Sequence, residues 1–113
     1  MTTAALKKSI NQKTGCIAKA LAILGDKWSP LLIKELTTCP QTFSELEKIL
    51  VGISPRTLSQ RLNKLVDEDI VVKSLYCERP PRYSYSLTTK GSDLQVILQD
   101  MAKWSSKYKS DRC

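Results

Sequence analysis

Arg56, Thr57, Ser59, Gln60, Arg61 and Lys64 form the densest cluster of recognition chemistry in this 113-residue chain, with two guanidiniums, an ammonium, two hydroxyls and a carboxamide and no carboxylate among them. Guanidinium forks and carboxamides pair with base edges in the DNA major groove, while hydroxyls and ammonium groups serve phosphates. Leu58, Leu62 and Leu65 recur through the same stretch at i, i+4, i+7. A helix here would bury one narrow leucine stripe and present the polar groups elsewhere. Ser54 suits its N-cap and Pro55 its first position, where a missing N–H costs nothing. Taken alone, such a helix also reads as an ordinary amphipathic helix with a solvated face, so its neighbours decide.

Thiol chemistry is the second candidate. Cys16, Cys39, Cys77 and Cys113 are widely spaced, with no C-x-x-C pair, and the chain has no histidine. That pattern points to neither a zinc site nor a disulfide scaffold. A free cysteine is most often a small buried hydrophobe. There is no Gly-rich phosphate loop, nucleophile elbow or paired-carboxylate motif either, so neither an enzyme nor a cofactor is expected.

The formal charge of +7 favours a polyanionic partner. Residues 1–66 hold ten Lys/Arg against four Asp/Glu, and residues 67–113 hold eight against seven. The excess therefore sits in the half containing the basic helix. The start Met1-Thr2-Thr3-Ala4-Ala5-Leu6-Lys7-Lys8 is too short and polar for a signal peptide, and no apolar run approaches the roughly 20 residues of a membrane span. One cytoplasmic domain over residues 1–113, without membrane contact, is expected.

The elements that would position the basic helix follow from period and caps. Residues 3–10 predict a weak basic helix within an N-terminal arm over 1–15. Ile17, Ala20, Leu21 and Leu24 predict a helix stopped by Gly25. Asp26 or Ser29 can cap the next helix, with Trp28, Leu31, Leu32 and Leu36 as its apolar side. Thr42-Phe43-Ser44-Glu45 has the capping-box form, and Phe43, Leu46, Ile49 and Leu50 supply a core face. Val51-Gly52-Ile53 turns into the basic helix, so residues 42–66 read as a helix-turn-helix with the basic helix second. After Leu65 the period changes to 2. Residues 70–76 and 82–87 predict a two-stranded hairpin, the wing of residues 70–88, closed by the loop Cys77-Glu78-Arg79-Pro80-Pro81 with Arg79 and Arg82 near its tip. Thr88 caps a last helix over 89–109. Its apolar residues Leu94, Ile97, Leu98, Met101 and Trp104 exceed what the small core needs and predict a dimer interface shared with the N-terminal helix. The fold class is mainly α with a small antiparallel β wing (α+β), a winged helix-turn-helix flanked by N- and C-terminal dimerisation helices.

Four motifs agree in order and spacing with a known family: Cys16 ahead of Leu24-Gly25-Asp26-Lys27-Trp28; Phe43-Ser44-Glu45-Leu46; Ile53 to Leu62; and Pro80 to Gly91. From Cys16 to Tyr108 the chain resembles the HxlR-type, MarR-like winged-helix transcriptional regulators of bacteria and archaea. The resemblance implies a homodimer on pseudo-palindromic double-stranded operators, with Ser54, Arg56, Thr57, Ser59, Gln60, Arg61 and Lys64 on the recognition helix and Arg79 and Arg82 on the wing. It also implies an oxidant or small-molecule effector acting through Cys16, near Lys13 and Lys19. Two positions depart from the pattern. The family commonly has Arg where Thr42 stands, putting a backbone contact in doubt, and Gly where Asp69 stands, suggesting a different turn before the wing. The rival reading is a winged helix that binds protein and not DNA.

Overall fold

The computed structural model describes residues 15–108. The expected helix over 3–10 and Cys113 lie outside the described residues. Helix α1 covers residues 15–24, followed by α2 (Trp28–Leu36), β1 (Gln41–Thr42), α3 (Phe43–Ile49), α4 (Pro55–Asp67), β2 (Val71–Glu78), β3 (Pro81–Leu87) and α5 (Thr89–Lys107). The core gathers Leu32, Ile33 and Leu36 of α2, Leu46 of α3, Leu58, Leu62 and Leu65 of α4, Ile70 just ahead of β2, Val71 of β2 and Tyr85 of β3.

Helix starts follow the local signals. Ser54 Oγ accepts from the Thr57 amide with Pro55 in the first turn. Thr42 and Glu45 form both halves of the capping box. Asp26 starts α2, its Oδ1 accepting from the Trp28 and Ser29 amides.

The buried stripes differ in detail from the expected ones. On α2 the buried residues are Ser29, Leu32, Ile33 and Leu36, with Leu31 turned outward. Ser29 can occupy a core position because its hydroxyl donates to Asp26 Oδ2 at 2.7 Å, and a buried hydroxyl with a partner avoids most of its desolvation cost. On α1 the core residue is Ile23, while Ile17 and Leu21 are exposed. Ile49 is exposed on α3, and Leu50, just past its end, fills the core instead.

The sheet has three strands in the order β1-β3-β2, not the expected two. Gln41 and Thr42 pair antiparallel with Tyr85 and Ser84. The wing is also tighter than expected: Cys77 pairs with Arg82 and Glu78 with Pro81, leaving Arg79-Pro80 as the turn, and an irregularity between Leu75 and Cys77 leaves Tyr76 without a partner. Pro81 is tolerated because it opens its strand, beyond the pairing with β1, so its missing N–H breaks no inner ladder.

Asp69 takes a backbone conformation that favours glycine. Its φ is 60°, the Asp69 amide donates to Val66 O, and the Ile70 amide donates to Leu65 O. This is the paired bond pattern that ends a helix with a left-handed residue. The turn is therefore the one a glycine makes, not a different one; aspartate is among the few other residues that enter it at modest cost.

Candidate nucleic-acid interface

The leucine stripe docks α4 and leaves the remainder of the helix outward. At about 100° per residue, Arg56 and Gln60 lie opposite the stripe, with Ser59 on one flank and Thr57 on the other. Arg56, Ser59 and Gln60 are exposed, as is Asn63, which shares their face and was not among the expected site residues. Ser54 and Thr57 are linked at the N-terminus, Ser54 Oγ donating to Thr57 Oγ1 at 2.9 Å. On the wing, Arg79 stands exposed in the turn. Arg82 lines a cleft of about 290 Å³ with Thr42, Phe43, Ser44, Tyr76 and Tyr83. The wing thus contributes Arg82 to the same cleft as Thr42, at the start of α3.

Arg61 and Lys64 behave differently from the other expected contacts. Both ion pairs found among the described residues end on Asp26, with Arg61 Nε 3.2 Å from Oδ1 and Lys64 Nζ 3.5 Å from Oδ2. The Arg61 Nε is buried and its N–H is not aligned on the carboxylate, so the contact is an ion pair and not a hydrogen bond. Lys64 Nζ also donates to the Ala22 and Ile23 carbonyls at the end of α1. The structure pairs both cations with Asp26, whereas Arg56 and Gln60 make no such contact among the described residues.

Burial alone would raise the pKa of Asp26, but hydrogen bonds from the Ser29 hydroxyl and amide and from the Trp28 amide, with the charge of Arg61, outweigh it and hold the group below its ordinary value of 3.8. A depressed carboxylate contributes stability that is complete above its unfolded-state pKa and is lost as pH falls through the lower folded value. Near neutral pH, wild type should exceed Asp26→Asn by about 1–2 kcal/mol, the typical worth of a cap with charged partners. Unfolding followed against pH should show the gap narrowing below about pH 4. A gap that is constant with pH would contradict this account.

Of the expected interface residues, Leu94 and Leu98 are half-buried against the protomer's own core. Ile97, Met101 and Trp104 are 53%, 55% and 68% exposed, and the Trp104 ring lies 5.8 Å from that of Tyr108, tilted by 49° to it, with Tyr108 exposed as well. With Ile17 and Leu21 of α1 they make up most of the large apolar surface outside the helix-turn-helix and wing. Cys16 is exposed on α1, so it is not a buried core residue within this chain. Cys39 is exposed and accepts from Gln41 Nε2 at 3.4 Å, while half-buried Cys77 donates to the Arg79 carbonyl. No cluster of three metal-ligating side chains occurs among the described residues.

A model of the HxlR-like helix-turn-helix matches residues 23–112. The chain belongs to that family. It is a transcriptional regulator of the DNA-binding helix-turn-helix kind and not an enzyme. It is 39% identical over 101 residues to the uncharacterized HTH-type transcriptional regulator YvaP of Bacillus subtilis, covering 88% of this chain and 94% of that one. The reduced form of the B. subtilis transcriptional regulator YodB superimposes with a TM-score of 0.74 at 33% identity, covering 80% of this chain and 89% of YodB. The redox regulator HypR in its oxidized form gives 0.75 at 29%, covering 83% and 97%. No helix among the described residues is long and apolar enough to cross a membrane.

Proposed function

We propose that this HxlR-family regulator binds a pseudo-palindromic operator as a homodimer in the cytoplasm, with α4 of each protomer in a major groove and the wing on the flanking backbone. The supporting observation is the outward face of α4, where Arg56, Ser59 and Gln60 stand free on a helix anchored by three buried leucines. In this reading Ser54, Arg56, Thr57, Ser59 and Gln60 approach base edges and nearby phosphates, and Arg79 and Arg82 meet phosphates. Arg56→Ala should cost about 1–3 kcal/mol and relax specificity at one base pair. Arg82→Gln should weaken all sequences alike and lower the salt slope by about one. Titration of a duplex selected by the wild-type protein from a random-sequence pool, at several salt concentrations, measures both. Binding without salt dependence, or none, would favour the protein-interaction alternative.

The effector in this proposal is an oxidant or electrophile that reacts with Cys16. The exposure of this thiol on α1 supports the reading, as do the solved reduced, diamide-treated and quinone-bound forms of YodB. A peroxide could convert the Cys16 thiol to a sulfenic acid that loses water on meeting a second thiol, diamide could join the two thiols directly as it is reduced to the hydrazine, and a quinone could add the thiol to its ring; each would alter α1 next to the exposed apolar surface. Diamide or a quinone should change operator affinity of wild type and leave Cys16→Ser unaffected; equal responses of the two proteins would remove Cys16 from the scheme.

A further inference from the structure

We infer that Asp26 is a positioning residue for DNA recognition, which holds Arg61 and Lys64 so that these two cations fix the pose of α4 and do not contact DNA. The inference deepens the proposed DNA-binding function and rests on it. Three elements meet at this carboxylate. It caps α2 through the Trp28 and Ser29 amides and the Ser29 hydroxyl. It draws in Arg61 and Lys64 from α4. Lys64 in turn caps the end of α1 by donating to Ala22 and Ile23 carbonyls, groups that a helix end leaves without helical partners. A cation is also favoured there by the negative end of the helix dipole.

The placement of Arg61 along α4 agrees, while Lys64, about 125° from the stripe, reaches Asp26 through the length of its side chain. Arg61 flanks the buried stripe about 60° from its centre, whereas Arg56 and Gln60 lie nearly opposite it. The side chains of Arg61 and Lys64 are 32% and 33% exposed and that of Asp26 only 22%. Turning either cation out to a phosphate would strip a largely covered carboxylate of a charged partner, which disfavours the exchange. The pose of the recognition helix is thereby tied to α1, the helix that carries Cys16.

The consequence is read in the salt dependence of binding. Each phosphate contact contributes about 0.9 to the slope of log K against log salt, and a residue acting through another contributes none. Arg61→Gln, which keeps every cap of Asp26, should bind the selected duplex about tenfold more weakly with the wild-type slope. Asp26→Asn should also weaken binding without changing the slope, and the double variant should be no weaker than the weaker single variant. Arg82→Gln serves as the control and should lower the slope by about one. A slope lowered by Arg61→Gln as it is by Arg82→Gln, or tighter binding by Asp26→Asn, overturns the inference. Amide exchange in the free proteins reads the link without DNA: Lys64→Gln, which removes the cap on the Ala22 and Ile23 carbonyls, and Asp26→Asn, which removes the carboxylate that holds Lys64, should each speed exchange at the end of α1 by about tenfold, and unchanged exchange in both overturns it as well. If Arg82→Gln and Arg56→Ala bind as wild type does, the DNA-binding reading fails while the exchange result still decides the link.

Discussion

Replacing Met101 and Trp104 together with aspartate should leave the protein monomeric at micromolar concentration and lower its affinity for a two-half-site operator by about 10²–10⁴-fold. The magnitude is that of losing a second tethered binding event, in which the first half-site contact holds the other recognition helix at high effective concentration. A two-fold dimer can set its recognition helices about 34–36 Å apart, one DNA turn, and a monomer cannot span that distance. Both side chains are more than half exposed and project from α5 away from the protomer's core. Charging them therefore costs the folded protomer little, whereas an aspartate buried without a partner would be severe in an interface. Leu94 and Leu98 are unsuitable for the same test because they pack on the core and their substitution would confuse dimer loss with unfolding. Sedimentation equilibrium and duplex titration check the two halves of the prediction; a double aspartate variant that remains dimeric would place the interface elsewhere.

Gly91→Ala should destabilise the protein by about 2–3 kcal/mol, in the range of overpacked sites where backbone must move. A Cβ at Gly91 would run into the Ile70 carbonyl oxygen and stand 3.1 Å from Leu87 Cδ2. That carbonyl is held in place, since it accepts from the Thr88 amide at 3.0 Å, and Thr88 Oγ1 donates to the neighbouring Asp69 carbonyl and accepts from the Gly91 amide. Lys90 Nζ adds a bond to the Glu68 carbonyl at 2.7 Å. Thr88, Lys90 and Gly91 together clamp the start of α5 to the end of α4, so the close approach needing a glycine also sets the recognition helix relative to the helix proposed to dimerise. Thermal unfolding should fall by roughly 10–20 °C for a domain of this size. A midpoint within about 2 °C of wild type would show that α5 shifts freely and that the clamp is not rigid.

What the sequence by itself determined was everything whose cause lies within a turn or two of chain. The Ser54-Pro55 start, the Thr42/Glu45 capping box and the Thr88 cap each join groups three residues apart. The leucine stripe of α4 likewise depends on period alone, whereas of the alternating residues Tyr83, Tyr85 and Leu87 only Tyr85 is buried and Tyr83 is exposed. These signals sufficed for the winged helix-turn-helix, and the order of its motifs sufficed for the family. Only the tertiary structure decided which of the polar residues on α4 are free. Arg61 and Lys64 carry the same local signature as Arg56, and their capture depends on Asp26 and on carbonyls as far as 42 residues away along the chain. It also decided that Gln41-Thr42 forms a third strand, because two residues have no period and their partners Tyr85 and Ser84 lie in the wing. On α5, periodicity grouped Leu94 and Leu98 with Ile97, Met101 and Trp104, and packing against α2 and the sheet separated them. A side chain's type and spacing specify the face it shares, but whether that face meets core, partner or solvent is set by elements remote in sequence, through burial that no local pattern records.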